Sequence, residues 1–282
     1  MTDRIYCSEQ SSHEPMMGTA DQVDVWVLLE YRPAWKARAI EESSLGPAAR
    51  AWLVRILRAL AERGLKARPQ LIRQPEIDGS EIRLLIGLPD ALLCLSGRGY
   101  GFLESVSLPD VVAEPGAHPR LEQPQYFVCT NGQRDVCCAR YGLPVYAGLR
   151  ERLGDSVWQT THLGGHRFAP NVLTLPQGVV YGRVPVDALD DFVATVQAGR
   201  LAFQWMRGRA WYAPPVQAAE VLMGESDLRF IAMAGDDAAA AVSFVGRDGE
   251  RTVRVRRAQE PMRVLKSCAD AEARPVNPYL AD

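Results

Sequence analysis

The stretch HLGGHRFAPNVLTL, residues 162–175, places two histidines around a pair of glycines and directly before an apolar run. His162 and His166 stand at i and i+4, the spacing that puts both rings on one helix face in zinc proteases. Gly164 and Gly165 argue against a helix interior, because each glycine costs about 1 kcal/mol relative to alanine there. Glycine also permits positive φ and close approach of backbone to an inorganic centre. We therefore expect a tight loop that leads into a strand.

Upstream of this loop, three of the six cysteines fall within ten residues. Cys129 and Cys138 are separated by eight residues, and Cys137 adjoins Cys138. Gly132 and Asp135 are turn formers between them, so the loop can return on itself and bring two thiolates to one metal. The remaining cysteines, at positions 7, 94 and 268, are scattered in the sequence, and we interpret each as a buried or inert thiol.

Two thiolates and two imidazoles suit either Zn²⁺ or a [2Fe–2S] cluster with mixed ligands. The cysteines lie farther apart than those of a zinc finger, and no glutamate follows His162 as in a zinc protease. The segment between the two ligand pairs has room for a whole helix and a strand. This arrangement favours a folded α/β domain with a cluster at one edge.

Length and charge limit the class of protein. A chain of 282 residues suggests about two domains. The formal net charge of −2 favours neither nucleic acid nor an anionic membrane as a partner. The N-terminal residues lack the apolar core of a signal peptide, and no run reaches the roughly eighteen apolar residues of a membrane span. We expect a cytoplasmic protein, whose cysteines stay reduced rather than forming a disulfide frame.

The hydrophobic pattern predicts an α/β fold in three parts, 1–119, 120–200 and 201–282. The first part is an α/β domain and the last a small α+β extension. The middle part has the order β-α-β-β-β-α. In the first part, strands are predicted at 23–31, 71–72 and 82–86, and a helix at 47–64. In the middle part, strands are predicted at 126–129, 156–161, 171–175 and 179–184, and helices at 144–153 and 187–197. In the last part, a helix is predicted at 215–223 and strands at 228–232, 240–245 and 251–255.

The segments FVCTNGQRDVCCARYGLPVYAGL (127–149) and VWQTTHLGGHRFAPNVLTLPQGVVYGRV (157–184) resemble the sucrase/ferredoxin-like family, a branch of the thioredoxin-like ferredoxins. In ordinary thioredoxin-like ferredoxins, a Cys-Leu-Gly-x-Cys loop followed by Ala-Pro and a strand carries the second ligand pair. His162 and His166 stand at those cysteine positions, and Ala169-Pro170 stands at the Ala-Pro. The resemblance also leads us to expect a cis bond before Pro170.

The resemblance implies one [2Fe–2S] cluster, bound by Cys129, Cys138, His162 and His166. It implies two thioredoxin-like units, of which the first, 1–119, carries no cluster. Cys137 would then be a neighbour of the cluster rather than a ligand, since adjacent cysteines point in different directions. Other residues expected around the cluster are Asp135, Gly164, Gly165 and Arg167. Arg134 and Arg167 flank the ligands and could offset cluster charge or dock an anionic partner.

Two neutral imidazoles make the cluster less negative than four thiolates would. Reduction is then easier, and the comparison with Rieske centres places the rise in potential at roughly several hundred millivolts. An imidazole N–H near solvent would also couple electron transfer to a proton. The expected function is therefore electron transfer between a donor and an acceptor protein, with proton coupling, and not a stand-alone enzymatic reaction.

Two alternatives remain. One is a thiol-redox enzyme on the same fold with Cys137 or Cys138 as nucleophile, although the sequence has no Cys-x-x-Cys motif. The other is a binding module with a structural Zn²⁺. We do not transfer a sucrase activity from the family name, because no pair of carboxylates can be assigned to a sugar cleft.

Overall fold

The computed structural model describes residues 6–282, and its N-terminal unit is built around four strands. Strand β1 lies between a parallel β2 and an antiparallel β3, and β4 pairs antiparallel with β3. The predicted helix and strands are present, and β4 forms a hairpin strand that was not predicted. The elements are α1 (Cys7–Gln10), β1 (Val25–Glu30), α2 (Ala39–Glu42), α3 (Pro47–Glu62), β2 (Ala67–Arg73), β3 (Glu81–Leu88), β4 (Ala91–Arg98) and α4 (Leu108–Ala113).

The second unit repeats the strand arrangement of the first. Strand β5 lies between a parallel β6 and an antiparallel β7, and β8 pairs antiparallel with β7. The predicted order β-α-β-β-β-α is confirmed. The elements are β5 (Gln125–Cys129), α5 (Val136–Leu153), β6 (Val157–Thr160), β7 (Asn171–Leu175), β8 (Val179–Gly182) and α6 (Leu189–Gln197).

The two units share one sheet. Strand β2 pairs antiparallel with β6, with Ile72 opposite Thr160, and β9 (Met206–Arg209) adds to β8. The result is a nine-stranded sheet in the order β4-β3-β1-β2-β6-β5-β7-β8-β9. Helix α3 contributes to a hydrophobic cluster of the N-terminal unit, and α5 and α6 contribute to a separate cluster of the second unit. Trp26 and Phe127 belong to a third hydrophobic cluster, which both units share. The α/β class is confirmed, and the boundaries 1–119, 120–200 and 201–282 stay a prediction.

The C-terminal part is a small α+β extension, as predicted. Its helix packs against a four-stranded antiparallel sheet in the order β10-β11-β12-β15, of which β15 was not predicted. No helix within residues 6–282 combines the length and the apolar composition that crossing a bilayer requires. The elements are α7 (Pro214–Met223), β10 (Arg229–Gly235), β11 (Ala239–Gly246), β12 (Gly249–Arg257), β13 (Met262–Val264), β14 (Arg274–Val276) and β15 (Tyr279–Ala281).

Helix α5 begins at Val136, well before the start predicted at residue 144. Asp135 provides the cap that explains the earlier start, because its Oδ1 accepts a hydrogen bond from the Cys137 backbone N–H at 2.9 Å. Pro144 therefore lies inside the helix and does not begin it. As a consequence, Cys137 and Cys138 lie in the first helical turn and not in the loop before it. The bond between Ala169 and Pro170 is cis, as expected, and so is the bond before Pro176.

Candidate metal centre

The four predicted ligands come from three elements that meet at one edge of the sheet. Cys129 is the last residue of β5, Cys138 lies in the first turn of α5, and both histidines lie after β6. Because β5 and β6 are parallel neighbours, their carboxyl ends share that edge, which is where α/β sheets bind ligands. Ligand atoms of Cys129, Cys138 and His162 all lie within 4.8 Å of one another.

The fourth residue, His166, is not part of this 4.8 Å group, and its ring packs on the ring of His162. The two imidazoles stack with centroids 4.1 Å apart and planes at 20°. The Nδ1 of His162 lies 3.7 Å from Cys138 Sγ. The Nδ1 of His166 is buried and has no hydrogen-bond partner within residues 6–282. A buried ring nitrogen without a partner is costly, and a metal ion at this point would supply the missing bond.

The protonation states suit metal binding. Burial, and then the neighbouring ring of His162, lower the pKa of His166 to about 4, so this imidazole is neutral at neutral pH. A hydrogen bond between the thiols lowers the pKa of Cys129 well below its usual range and raises that of Cys138. The pair therefore shares a proton that a metal ion would displace.

The histidine loop depends on its two glycines and on a buried arginine. Gly164 and Gly165 have φ values of 87° and 67°, in the left-handed region that favours glycine. Arg207 is 2% exposed and donates hydrogen bonds to Gly164 O at 2.9 Å and to Thr19 O at 2.6 Å. A Cβ on Gly165 would lie 2.8 Å from its guanidinium. Asn171 accepts from Arg207 and donates to Gly165 O, so the loop is held from both sides.

Arg207 is a residue whose role the sequence did not predict. It stands in Arg207-Gly208-Arg209, where no local pattern indicates a role. The signal was weak because the residue lies 41 positions after His166, on β9, a strand that was itself missed. Burial lowers the pKa of Arg207 to about 9, which reflects the cost of enclosing a cation there.

Close packing of α5 on β5 positions the cysteines. A Cβ on Gly142 would lie 2.1 Å from the carbonyl oxygen of Cys129. This contact is with backbone, so a side chain at position 142 would push the helix away from the strand end. The glycine therefore sets the distance between the two elements that carry Cys129 and Cys138.

His162 connects the buried group to an open groove. The groove is lined by both units, including Arg68, Arg134 and Asn131, and the half-buried His162 is one of its lining residues. Arg68 donates to the His162 carbonyl oxygen at 3.2 Å, so the N-terminal unit helps to hold the histidine loop. Since Nδ1 of His162 faces Cys138, its Nε2 lies on the opposite side of the ring.

The residues expected around the cluster lie in different surroundings. Gly164 and Gly165 form the ligand loop. Arg167 forms an ion pair with the buried Glu14, at 2.5 and 2.8 Å, and so its charge is already neutralised. Arg134 is exposed and lines the groove.

Asp135 and Cys137 belong elsewhere. Together with Cys7 and Cys268 they form a second group whose ligand atoms lie within 4.8 Å of one another. Cys7 is buried, as the sequence analysis expected, and Cys268 is half-buried. The sequence did not predict that the fold brings these two distant positions together. Cys94 lies outside both groups.

Two comparisons with known proteins cover parts of the chain. A thioredoxin-like [2Fe-2S] ferredoxin from Aquifex aeolicus is 21% identical, with a TM-score of 0.27, over 30% of this chain and 91% of that one. The Altered inheritance of mitochondria protein 32 of Clavispora lusitaniae is 29% identical over an alignment of 126 residues that covers 38% of this chain. The match spans 46% of that relative, about half its length.

The Sucrase/ferredoxin-like family matches a much longer part, residues 16–208 of 282. The matched region contains the four predicted ligands and Arg207, and it runs from the N-terminal unit into β9. It leaves out Cys7 and Cys268. This extent is well over half of the sequence, and the chain therefore belongs to the sucrase/ferredoxin-like family.

Proposed function

We propose that this protein is an electron carrier that binds a [2Fe–2S] cluster through Cys129, Cys138, His162 and His166. The observation that carries the proposal is the unpartnered, buried Nδ1 of His166, stacked beside a group of two thiols and one imidazole. Two sulfur and two nitrogen donors are the ligand set of mixed-ligand [2Fe–2S] centres. The donors present therefore fit the cluster that the family resemblance implies.

When bound, the cluster would supply the reversible uptake and release of a single electron. The protein determines the burial and the protonation of the ligands. Cys129 and Cys138 are buried, and the low pKa of His166 keeps that imidazole neutral. Two neutral ligands in place of two thiolates reduce the negative charge at the centre and so favour the reduced state. Arg207 and Asn171 hold the loop so that the histidines need little rearrangement.

The groove beside His162 is the entry side that we propose for electrons and protons. His162 is the proposed ligand that lines the groove, and the Nε2 side of its ring faces away from the thiols. A proton on this nitrogen can exchange with solvent as the redox state changes. The proposed coupling requires the midpoint potential to fall as the pH rises through the alkaline range, and a flat profile would contradict it.

Donor and acceptor proteins with acidic surfaces fit this groove. The groove is lined by Arg38, Arg68 and Arg134 and by Glu41. Arg38 forms an ion pair with Glu42 and Arg68 with Asp21, so the exposed Arg134 is the lining arginine that offers its charge to a partner. Complementary charge of this kind mainly accelerates association and fixes orientation.

Cluster binding also needs reduced thiols. We propose a reducing compartment such as the cytoplasm, where cysteines remain available as ligands.

The test is anaerobic purification followed by an absorption spectrum and by iron and sulfide analysis. The proposal predicts a coloured protein with two irons and two sulfides per chain, as a [2Fe–2S] cluster requires. Cys129→Ser should lose both, and Cys94→Ser, which changes a thiol outside the site, should keep them. A colourless protein that stays zinc-loaded after iron–sulfur reconstitution would instead support a structural zinc site. Ready alkylation of Cys138 in the isolated protein would support the thiol-redox alternative.

A further inference from the structure

A second group of thiols lies next to the proposed cluster site. It joins Cys7 of α1, Cys137 of α5 and Cys268, which lies after β13, so residues 261 positions apart in the chain are in contact. The Sγ–Sγ distances are 3.7 Å for Cys7–Cys137, 3.2 Å for Cys137–Cys268 and 3.6 Å for Cys268–Cys7. The three sulfurs thus form a compact triangle around a common point.

The spacing of this triangle fits a metal–thiolate site. Zn–S bonds of about 2.3 Å in a tetrahedron place the sulfurs roughly 3.8 Å apart, close to the separations here. A disulfide would join only two of the sulfurs and leave the third thiol against it. Apolar groups such as Ala169 and Leu265 also pack around these thiols, but ordinary core packing does not require the three sulfurs to contact one another as they do here.

Hydrogen-bond donors around the sulfurs also fit a metal–thiolate site. The Ser8 hydroxyl donates to Cys137 Sγ at 3.3 Å, and the Cys7 backbone N–H donates to Cys268 Sγ at 3.3 Å. Hydrogen bonds of this kind surround metal-bound ligands, because they orient the ligand and stabilise its negative charge. They are weak partners for a neutral thiol and better ones for a thiolate.

Asp135 connects all three cysteines. Its Oδ1 accepts from the Cys137 N–H at 2.9 Å and lies 4.0 Å from Cys7 Sγ. Its Oδ2 accepts from the Cys268 N–H and the Ser267 hydroxyl, both at 2.9 Å. The carboxylate is buried. It fixes the backbone of two cysteines and offers an oxygen beside the sulfur triangle.

We propose that Cys7, Cys137 and Cys268 bind one Zn²⁺ as thiolates, with the carboxylate of Asp135 as the fourth ligand. Soft sulfur ligands with one carboxylate oxygen suit this ion, and four protein ligands make a closed, structural site. Binding forms three Zn–S bonds and one Zn–O bond, and the thiol protons pass to solvent. No electron is transferred.

The site would act as a clamp. It ties the N-terminal helix α1 and the C-terminal segment around Cys268 to the first turn of α5, where Cys138 also lies. The family match begins at residue 16 and ends at residue 208, so two of the three thiolates come from outside the matched region. The proposed zinc site therefore extends beyond the region that matches the family, and it does not depend on the proposed cluster.

The experiment measures zinc and iron per chain in the full-length protein, after incubation with zinc sulfate and desalting. Wild type and Cys94→Ser should retain one equivalent of zinc in addition to iron. Cys268→Ser should lose that zinc and keep iron, sulfide and the visible spectrum. Cys129→Ser should lose iron and keep the zinc. Circular dichroism of each variant establishes that it is folded.

Zinc retained by Cys268→Ser but lost by Cys129→Ser would place the ion at the other site and overturn the inference. A wild type that keeps no zinc, or one isolated with a Cys137–Cys268 disulfide, would also overturn it. If iron is absent throughout but the zinc is lost only in Cys268→Ser, the zinc site stands and the electron-transfer proposal fails. A second measurement needs no variant: zinc should protect the half-buried Cys268 from alkylation, and equal alkylation with and without a chelator would contradict the clamp.

Discussion

Cys137 and Cys138 are adjacent in the chain, yet their sulfurs belong to different groups. Cys138 Sγ lies 3.7 Å from the Nδ1 of His162, whereas Cys137 Sγ lies 3.2 Å from the Sγ of Cys268. Both residues occupy the first turn of α5, where successive side chains diverge by about 100°. The first turn of α5 thus directs one thiol toward the histidines and the other toward Cys268.

This separation makes the two cysteines a matched pair of variants. Cys138→Ser should abolish iron binding, because it removes a ligand. Cys137→Ser should keep iron, sulfide and the visible spectrum, because its sulfur is not in the ligand group. Iron analysis of the two purified variants checks this, and equal loss of iron in both would show that the ligand assignment is wrong.

His166→Cys tests the role of the neutral imidazole. The change replaces a neutral ligand by a thiolate, so reduction adds an electron to a more negative centre. We expect the midpoint potential to fall, by on the order of a hundred millivolts or more, with iron content retained. Spectroelectrochemical titration measures the potential. An unchanged potential in an iron-loaded variant would mean that His166 is not a ligand.

The metal-free protein should lose stability as the pH falls toward 4. The folded-state pKa of His166 is about 4, below its ordinary value of 6.5. Between these values the unfolded chain binds more protons than the folded one, so acidification favours unfolding in this window. Urea denaturation at several pH values should show a weaker dependence in His166→Gln. The exposed His13→Gln is the control, and the same dependence in both variants would contradict the assignment.

Arg207→Met should destabilise the protein and loosen the ligand loop. It leaves the carbonyls of the half-buried residues Gly164 and Thr19 without their donor, which costs on the order of 2–3 kcal/mol. Urea denaturation of the metal-free protein measures this loss. The exposed Arg229→Met serves as the control, with a change within about 0.5 kcal/mol. If the two variants unfold at the same urea concentration, Arg207 does not hold the loop.

Local patterns predicted the second unit well because its signals are short-range. The glycine pair in the loop gives the positive φ values that the sequence indicated. Strand β7 occurs at Asn171–Leu175, where the apolar run predicted it. The start of α5 was placed too late, because Pro144 was taken as a first-turn residue while the cap at Asp135 went unrecognised.

What the sequence could not supply is contact between distant positions. Cys7 and Cys268 show no pattern that relates them, and only the folded chain brings them to Cys137. The pairing of β2 with β6 depends on two strand edges that no local motif specifies. The similar strand order of the two units was expected from the family resemblance alone, since their sequences show no internal repeat.

Ligation of the cluster by His162 and His166 is tested most directly by pulsed electron paramagnetic resonance of the reduced protein, produced in cells supplied with ¹⁵N-histidine. We expect strong couplings between the cluster spin and two imidazole nitrogens in wild type, and with one in His166→Cys. A reduced cluster with no histidine nitrogen coupling would show ligation by other groups and contradict the assignment of His162 and His166.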